Sequence, residues 1–404
     1  MKPSFLFISN GYGEDTIAAH IGKRMLETRL TQTVKAFPTV GTGKFYSTMG
    51  IALAGEGISL PSEGFVRSLN DFLKDLRYGF IQKTYRMGRT LGKAAEHFDF
   101  LFIVGDPYLL LYTSLFTKHP PRRRVFIGVQ QSEWYGSRKP FKQHYSFIER
   151  RWMKRMAGLI YVRDEKTMDF LRSKGLTHVQ CEGNPMMDCF SISKQKVLPH
   201  NRKLIGILPG SKQESYENMS VIFNTIKNLS LMGGHFNYAI ALSPQLDESV
   251  VVTRFGLRFR YSKKRDGEHL YTSYELPGTL GDIIISKHLF GDIINESIAV
   301  IGVSGTGNEQ AAGLGKPVFG FWGKGPQITE KFMKAQKKLL GKSLILLPPE
   351  PGRLAATIMQ TLSDRFLLKE IEENGKLRMC GRGSIDRIVS GIEEYIKRVM
   401  RNDQ

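Results

Sequence analysis

The sequence predicts an α/β protein made of two doubly wound domains. Short apolar runs alternate with helix-like segments, most of the runs are continuous, and the whole pattern occurs twice. A continuous apolar run is typical of a strand in a parallel sheet that helices cover on both faces. The 404 residues suffice for about two domains, and a hydrophobic share of 41% suffices for two cores.

The predicted strands come first, because they set the order of the other elements. In the first half they are Phe5–Ser9, Phe100–Gly105, Val125–Val129, Leu159–Arg163 and Val179–Glu182. In the second half they are Leu204–Leu208, Tyr238–Leu242, Asp282–Ile285, Ala299–Val303 and Val318–Phe321. Between them, Phe190–Arg202 is rich in Ser and Lys and has no strong apolar period. We therefore expect domains at residues 1–190 and 200–384, and an amphipathic helix at 385–404 that packs back across them.

The composition indicates anionic partners and argues against several classes of site. Lys and Arg number 58 against 38 Asp and Glu, a formal net charge of +20, which suits nucleic acid, an anionic membrane or phosphorylated substrates. The three cysteines form no CxxC pair, so neither a disulfide framework nor a zinc site is predicted, in keeping with a reducing cytosol. The longest apolar stretch, Phe98–Phe116, is interrupted by Asp99, Asp106 and Pro107. We therefore expect any membrane contact to be peripheral.

A basic surface is predicted in the first half. The segment Phe65–Lys93 has helical apolar spacing and carries seven basic against two acidic residues. Further basic residues add to the charge: Lys118, Arg122–Arg124, Arg138, Lys139, Lys142, Arg150, Arg151, Lys154 and Arg155. Such a surface suits an anionic membrane face, although a solvated helix face is the alternative. No nucleic-acid-binding signature accompanies it, which argues against a nucleic-acid partner.

Two loops of the second half have the chemistry of phosphate binding. The strand Leu204–Leu208 leads into Pro209, Gly210, Ser211 and Lys212, which offer backbone N–H groups, a hydroxyl and a cation to a diphosphate. The strand Ala299–Val303 leads into Ser304, Gly305 and Thr306, which open a helix whose start is electropositive. The alternatives are a surface turn with a solvated lysine and an ordinary helix cap.

Two further side chains are predicted to bind the rest of such a ligand. Glu309, about one turn into the second helix, suits ribose hydroxyls, although it could instead only offset the helix dipole. Gln327, in the next loop, can both donate to and accept from sugar hydroxyls, although an ordinary loop is the alternative.

The first half offers carboxylates for acid–base chemistry. Phe5–Ser9 leads into a Gly-Tyr-Gly turn, but Glu14 and Asp15 place negative charge where a dinucleotide would need none. Asp106 follows a buried strand, and transfer to a hydroxyl requires a base. We therefore predict Asp106 as the general base, ahead of Glu14, Asp15 and His20. The alternatives are helix capping by Glu14 and Asp15, and a turn at the end of the strand, before Pro107, for Asp106.

The chain resembles the lipid-A-disaccharide synthase family, and most closely its lipid-A-disaccharide-synthase-related branch. The resemblance runs over nearly the whole chain. Its motifs are Asn10–Asp15, Gly105–Pro107, Gln131–Trp134, Gly183–Asp188, Leu208–Lys212, Ser304–Thr306 with Glu309, and Gly323–Gln327.

The resemblance implies a GT-B fold, in which two Rossmann-like domains face a central cleft. It implies a hexosyltransferase that needs no metal or other cofactor and moves a sugar from a UDP-sugar, with inversion, to a lipid or lipid-linked acceptor at the inner face of the cytoplasmic membrane. The family's strand-end aspartate matches Asp106, and its Pro-Gly-Ser-Arg loop matches Pro209–Lys212 with Lys212 in place of arginine. The Asn10–Asp15 loop and the region of Trp134 depart from the motifs of the synthase itself. The resemblance therefore does not imply the lipid A precursor as the acceptor. A UDP-sugar epimerase, or a non-enzymatic binder of anionic lipid or nucleic acid, remain the alternatives.

Overall fold

The computed structural model describes residues 2–57, 80–136, 145–194, 196–323 and 328–403, with only the backbone of residues 80 and 81. The chain forms two compact units. The first unit comprises Met1–Cys189 and Arg382–Gln404, and the second comprises Phe190–Gly381. The C-terminal segment therefore belongs to the first unit.

The first unit is built on a seven-stranded parallel sheet of order β3-β2-β1-β4-β5-β6-β7. Its strands are β1 (Phe5–Ser9), β2 (Val34–Pro38), β3 (Ala52–Leu53), β4 (Phe100–Gly105), β5 (Arg124–Gly128), β6 (Leu159–Val162) and β7 (Val179–Gln180). Its first described helices are α1 (Tyr12–Glu27), α2 (Lys44–Thr48), α3 (Phe80–Ala95), α4 (Pro107–Phe116), α5 (Phe147–Met156) and α6 (Glu165–Ser173). The chain runs from β1 outward to β3 and then returns to β4 on the other side of β1. Ligands of doubly wound sheets bind beyond the strand ends at this kind of reversal.

The central strands of this sheet are apolar on both faces because helices cover both. Phe5 and Phe7 of β1 lie in a buried cluster with Ile17 of α1. Leu6 of β1 lies in the opposite cluster with Leu110 of α4. Burial on both sides explains why β1 and β4 appear in the sequence as continuous apolar runs.

The second unit is built on an eight-stranded sheet of order β10-β11-β12-β9-β8-β13-β14-β15. Its strands are β8 (Lys203–Leu208), β9 (Phe236–Ala241), β10 (Arg258–Arg265), β11 (Glu268–Glu275), β12 (Asp282–Ser286), β13 (Ala299–Gly302), β14 (Val318–Phe321) and β15 (Leu344–Leu347). Its described helices are α7 (Ser215–Leu231), α8 (Glu248–Phe255), α9 (Phe290–Glu296), α10 (Thr306–Gly313), α11 (Glu330–Leu340), α12 (Pro351–Ser363) and α13 (Arg365–Met379). The strand order reverses between β8 and β13, which are hydrogen-bonded neighbours.

The β10–β11 hairpin is a feature that the apolar pattern did not predict. It is antiparallel, and β11 also pairs antiparallel with β12, whereas the other strand pairs of this sheet are parallel. Asp266 (φ 51°) and Gly267 (φ 84°) form its turn, which suits a two-residue hairpin. All eight residues of β10 are exposed, and five of them are basic, so this edge strand has no apolar run to detect.

The last helix, α14 (Ser384–Asn402), completes the first unit. Ile388, Ile392 and Ile396 lie along one face of it, within the cluster that also contains Phe5 and Phe7. The Asp188 carboxylate accepts hydrogen bonds from the backbone N–H groups of Gly383 (2.7 Å) and Ile385 (2.9 Å). The first residues of α14 are thus hydrogen-bonded to Asp188, which lies at the end of the Met1–Cys189 segment of the same unit.

Candidate functional site

The first phosphate-type loop of the second unit depends on a glycine. Gly210 follows β8 with φ +102°, a conformation that L side chains rarely adopt. A Cβ atom there would lie 2.8 Å from Ser215 Oγ and 3.2 Å from the Val303 carbonyl oxygen. The loop therefore approaches the end of β13 closely, while Ser211 and Lys212 remain exposed.

The second loop lies beside the first. The Val303 N–H donates to the Leu208 carbonyl oxygen at 2.8 Å, which joins the ends of the two strands. A pocket of about 60 Å³ lies between the loops and is lined by Pro209–Lys212, Ser304 and Gly305, together with Ser215, Asn218 and neighbouring residues. Thr306 is the first residue of α10. The structure thus brings together the two segments that the sequence singled out separately.

The two remaining predicted ligand residues differ in their position. Glu309 is half-buried in the first turn of α10 and is not among the described residues that line this pocket. Gln327 lies outside the residues that the structure describes.

Two larger pockets adjoin the small one at the same edge of the sheet. One, of about 240 Å³, shares Gly210, Ser211 and Ser304 with it and extends to Pro244 after β9 and Lys287 after β12. The other, of about 500 Å³, shares Asn218 and is lined by Phe321 and Trp322 at the end of β14. A small pocket lined by Ser211, Lys212 and Ser304, with two larger pockets adjoining it, can accommodate an extended phosphorylated ligand. Sequence reasoning missed Lys287 and Trp322, although both directly follow buried strands.

In the first unit, two carboxylates follow β1 and β4, and each accepts a hydrogen bond from a side-chain amide. The Asn10 side-chain amide donates to Asp106 Oδ2 at 3.0 Å, and the Gln130 amide donates to Glu14 Oε1 at 2.7 Å. Burial raises the pKa of Glu14, and the Asp106 charge raises it further. Burial also raises the pKa of Asp106, against the lowering effect of the Leu109 N–H. Both groups are thereby shifted toward the range in which a carboxylate can accept and return a proton.

Asp106 also caps a helix, a role that the sequence pattern did not predict for it. Its Oδ1 accepts the N–H of Leu109 at 2.9 Å, at the start of α4. The carboxylate is therefore held in place by its own helix while its other oxygen contacts Asn10. Capping and acid–base chemistry are compatible in this geometry.

Asp15 has different surroundings from its neighbour Glu14. It is 1% exposed, and it accepts a hydrogen bond from Ser9 Oγ at 2.6 Å, while Ser9 Oγ also lies 2.6 Å from the Tyr46 hydroxyl. Burial raises the pKa of Asp15 to about 6. His20, further along α1, contacts the Thr16 carbonyl oxygen through Nδ1 at 2.8 Å. Asp15 is therefore hydrogen-bonded within the core, whereas Glu14 is hydrogen-bonded to Gln130.

The described residues also offer evidence on metals and membranes. No three His, Cys, Asp or Glu side chains in these ranges come together in a way that could hold a metal ion. No helix in them combines the length and apolar character that a membrane crossing requires.

Comparison with known proteins identifies the fold. No protein-family model matches the chain, and neither does any curated protein. CalG4, the calicheamicin glycosyltransferase, matches with a TM-score of 0.62 at 13% identity, over 99% of this chain and 100% of its own. Staphylococcus aureus MnaA, solved with UDP, matches with a TM-score of 0.57 at 15% identity, over 98% and 97%. The UDP-GlcNAc 2-epimerase of Neisseria meningitidis, solved with UDP-GlcNAc, matches with a TM-score of 0.54 at 15% identity, over 97% and 100%.

These matches confirm the predicted fold class. The chain has the GT-B fold, with two α/β units built on Rossmann-like sheets. At such identities the likeness extends to the fold and does not reach one activity, since the similar structures include both a glycosyltransferase and an epimerase.

Proposed function

We propose that this protein is an inverting, metal-independent glycosyltransferase of the lipid-A-disaccharide-synthase type. It moves a sugar from a UDP-sugar to a lipid or lipid-linked acceptor at the inner face of the cytoplasmic membrane. The second unit binds the donor, and the first unit binds the acceptor and supplies the base.

The observation that carries this proposal is the convergence of Pro209–Lys212 and Ser304–Gly305 on one pocket at the strand-order reversal of the second sheet. Backbone N–H groups, two hydroxyls and a cation suit a diphosphate, and the flanking pockets leave room for a nucleoside and a sugar. The UDP and UDP-GlcNAc bound in two similar structures support a uridine nucleotide as the ligand.

The donor site is tested with Lys212→Ala and Glu309→Ala. Lys212 is exposed, so its removal should leave thermal stability unchanged while it weakens UDP binding about 10- to 100-fold through loss of a charge-assisted contact. Glu309→Ala should weaken binding of UDP more than binding of uracil, because the proposed contact is to the ribose. Lys227→Ala, an exposed lysine on α7, is the matched control, and isothermal calorimetry is the measurement. Unchanged UDP affinity in both test variants would refute the site assignment.

In the transfer step, the acceptor hydroxyl oxygen bonds to the anomeric carbon of the sugar. The bond from that carbon to the β-phosphate oxygen breaks, UDP leaves, and the hydroxyl proton passes to a carboxylate. Glu14 and Asp106 supply this acid–base function in our proposal, because burial raises the pKa of each. Asp106 directly follows β4, and Glu14 lies in the first turn of the helix that follows the neighbouring strand β1. Positive and N–H groups of the donor loops stabilise the departing diphosphate.

The base is tested with Asp106→Asn and Glu14→Gln. Asparagine is also a good N-cap, so Asp106→Asn should preserve α4 while it removes the base. We expect the variant that lacks the base to lose about 10²- to 10⁴-fold in kcat, with UDP affinity unchanged. Glu96→Gln, an exposed carboxylate of the same unit, is the control. If both test variants turn over donor at the wild-type rate, these carboxylates have no part in the chemistry.

A UDP-sugar epimerase is the second candidate, and the match to the Neisseria meningitidis enzyme favours it. The two activities differ in their need for an acceptor. Incubation with UDP-GlcNAc, followed by NMR of the sugar, separates them: a transferase releases UDP only when membrane lipid extract is added. A UDP-sugar of changed configuration, formed without any lipid, would establish the epimerase instead.

Membrane docking is proposed for the helical layer formed by α3, α4 and α5. Tyr85, Tyr108, Phe147 and Ile148 are exposed on this layer, with exposed fractions between 53% and 70%. Exposed cations of the same helices surround them: Lys83, Arg86, Arg89, Lys93, Arg151, Lys154 and Arg155. Aromatic side chains among cations suit the interface of an anionic bilayer. Other predicted cations of this surface, Arg67, Lys74, Arg77, Arg138, Lys139 and Lys142, lie outside the described residues.

Docking is tested by sedimentation with vesicles of phosphatidylglycerol or of phosphatidylcholine. Reversal of three charges on α5 (Arg151→Glu, Lys154→Glu, Arg155→Glu) should weaken binding to the anionic vesicles by about 100-fold or more, at about 1 kcal/mol per cation. The same change on the exposed strand β10 (Arg258→Glu, Lys263→Glu, Lys264→Glu) is the matched control. Equal losses in both triple variants would assign binding to net charge alone.

A further inference from the structure

Gln336 holds the second phosphate-type loop from behind. It lies on α11 and is 3% exposed. Its Nε2 donates to the carbonyl oxygens of Ser304 (3.2 Å) and Gly305 (2.8 Å). Its Oε1 accepts from Asn308 Nδ2 at 2.9 Å, and the same Nδ2 also donates to the Gly302 carbonyl oxygen at 3.2 Å. Both carbonyl groups of the loop are thus turned toward α11.

The orientation of these carbonyl groups fixes that of the next two N–H groups. In a trans peptide the C=O and N–H bonds point in opposite directions, and the described chain has no cis peptide. The N–H groups of Gly305 and Thr306 therefore point away from Gln336. Neither makes a backbone hydrogen bond to a described residue. Ser304 and Gly305 line the pocket between the loops, and Gln336 does not.

Asn308 fixes which end of the Gln336 amide faces the loop. Asn308 is fully buried, and its Nδ2 is a donor that requires an acceptor opposite it. The Gln336 oxygen satisfies it, so only the Gln336 Nε2 group remains for the two loop carbonyls. The pair forms a clamp, which we call the Gln336–Asn308 clamp.

We propose that Gln336 is a positioning residue for diphosphate binding, which presents the N–H groups of Gly305 and Thr306 to the phosphate oxygens through this clamp. The inference rests on the proposed function, and Gln336 itself does not touch the ligand. Its role is specific to the phosphates, so the nucleoside part of the ligand does not depend on it.

The test compares UDP with uridine by isothermal calorimetry in two variants. Gln336→Met keeps the length of the side chain but removes all three polar contacts. Asn308→Asp presents an acceptor to Gln336, which should turn the amide over and set its oxygen against the loop carbonyls. We expect each variant to bind UDP about 10-fold or more weakly while its affinity for uridine is unchanged. Gln360→Met, the same change at an exposed position on α12, should have no effect.

The combination of the two changes separates a clamp from two independent effects. If Asn308 acts through Gln336, the double variant should bind UDP no more weakly than Gln336→Met alone. Equal losses for UDP and uridine in folded variants would mean general disruption and would overturn the inference. Wild-type UDP affinity in both variants would also overturn it, with the proposed function intact. A wild-type protein that binds neither compound would refute the proposed function itself.

Discussion

The sharpest prediction concerns Gly210, because the structure shows what a single added carbon would meet. Alanine at this position must adopt φ +102° and place its Cβ 2.8 Å from Ser215 Oγ and 3.2 Å from the Val303 carbonyl oxygen. The Ser215 hydroxyl can rotate away, but the Val303 carbonyl belongs to the backbone next to β13. We therefore expect Gly210→Ala to lower the free energy of unfolding of the second unit by about 1–3 kcal/mol. The loop should also move away from Ser304, with at least about a 10-fold loss in UDP affinity.

Gly233 is the matched control for this prediction. It also has a positive φ, +76°, but a Cβ atom there would have no neighbour within 4 Å. Gly233→Ala should therefore show only the backbone penalty of about 1 kcal/mol and should bind UDP as the wild type does. Urea denaturation followed by fluorescence measures the first quantity, and calorimetry measures the second.

The structure predicts that alanine lowers both stability and UDP affinity more at Gly210 than at Gly233. If both variants lose the same stability and both keep wild-type UDP affinity, close approach of the first loop to β13 is not required for binding. The assignment of Pro209–Lys212 to the diphosphate would then be wrong.

Other predictions concern stability in the first unit. The raised pKa of Asp15 means that the native state binds this proton more tightly than the unfolded chain does, so its contribution to stability is complete below about pH 4 and is lost as pH rises through about 6. In urea denaturation, the free energy of unfolding of Asp15→Asn should therefore rise relative to that of the wild type by up to about 3 kcal/mol between pH 4 and pH 7. The same pH dependence of stability in both proteins would contradict this. Asp188→Ala should destabilise α14 by about 1–2 kcal/mol in hydrogen exchange, since two backbone N–H groups lose their acceptor. Asp386→Ala breaks only an exposed ion pair, so it should lower the stability of α14 by less than about 1 kcal/mol. A larger loss in Asp386→Ala than in Asp188→Ala would contradict the stabilising role of Asp188.

The fold was predictable from the sequence wherever strands are buried on both faces. All ten predicted strands occur within a few residues of their expected bounds, because helices on both sides of a parallel sheet demand continuous apolar side chains. Among the residues that the structure describes, five strands were missed: β2, β3, β10, β11 and β15. Most of these lie toward the sheet edges, where burial is incomplete or absent, so the apolar pattern that reveals a strand is weak.

By itself, the sequence determined which chemical groups the two phosphate-type loops offer, because glycine, serine and lysine after a buried strand supply a permissive backbone, hydroxyls and a cation locally. Only the tertiary structure decided that the loops of Gly210 and Ser304 share a pocket, since that depends on β8 lying beside β13. It also decided that Glu14 meets Gln130 while its neighbour Asp15 turns inward, and that Gln336 supports the second loop. Local propensity acts over a few residues, whereas the contacts of Glu14 with Gln130 and of Gln336 with Gly305 join residues far apart in the chain. Their geometry is set by strand order and helix packing, which no single segment encodes.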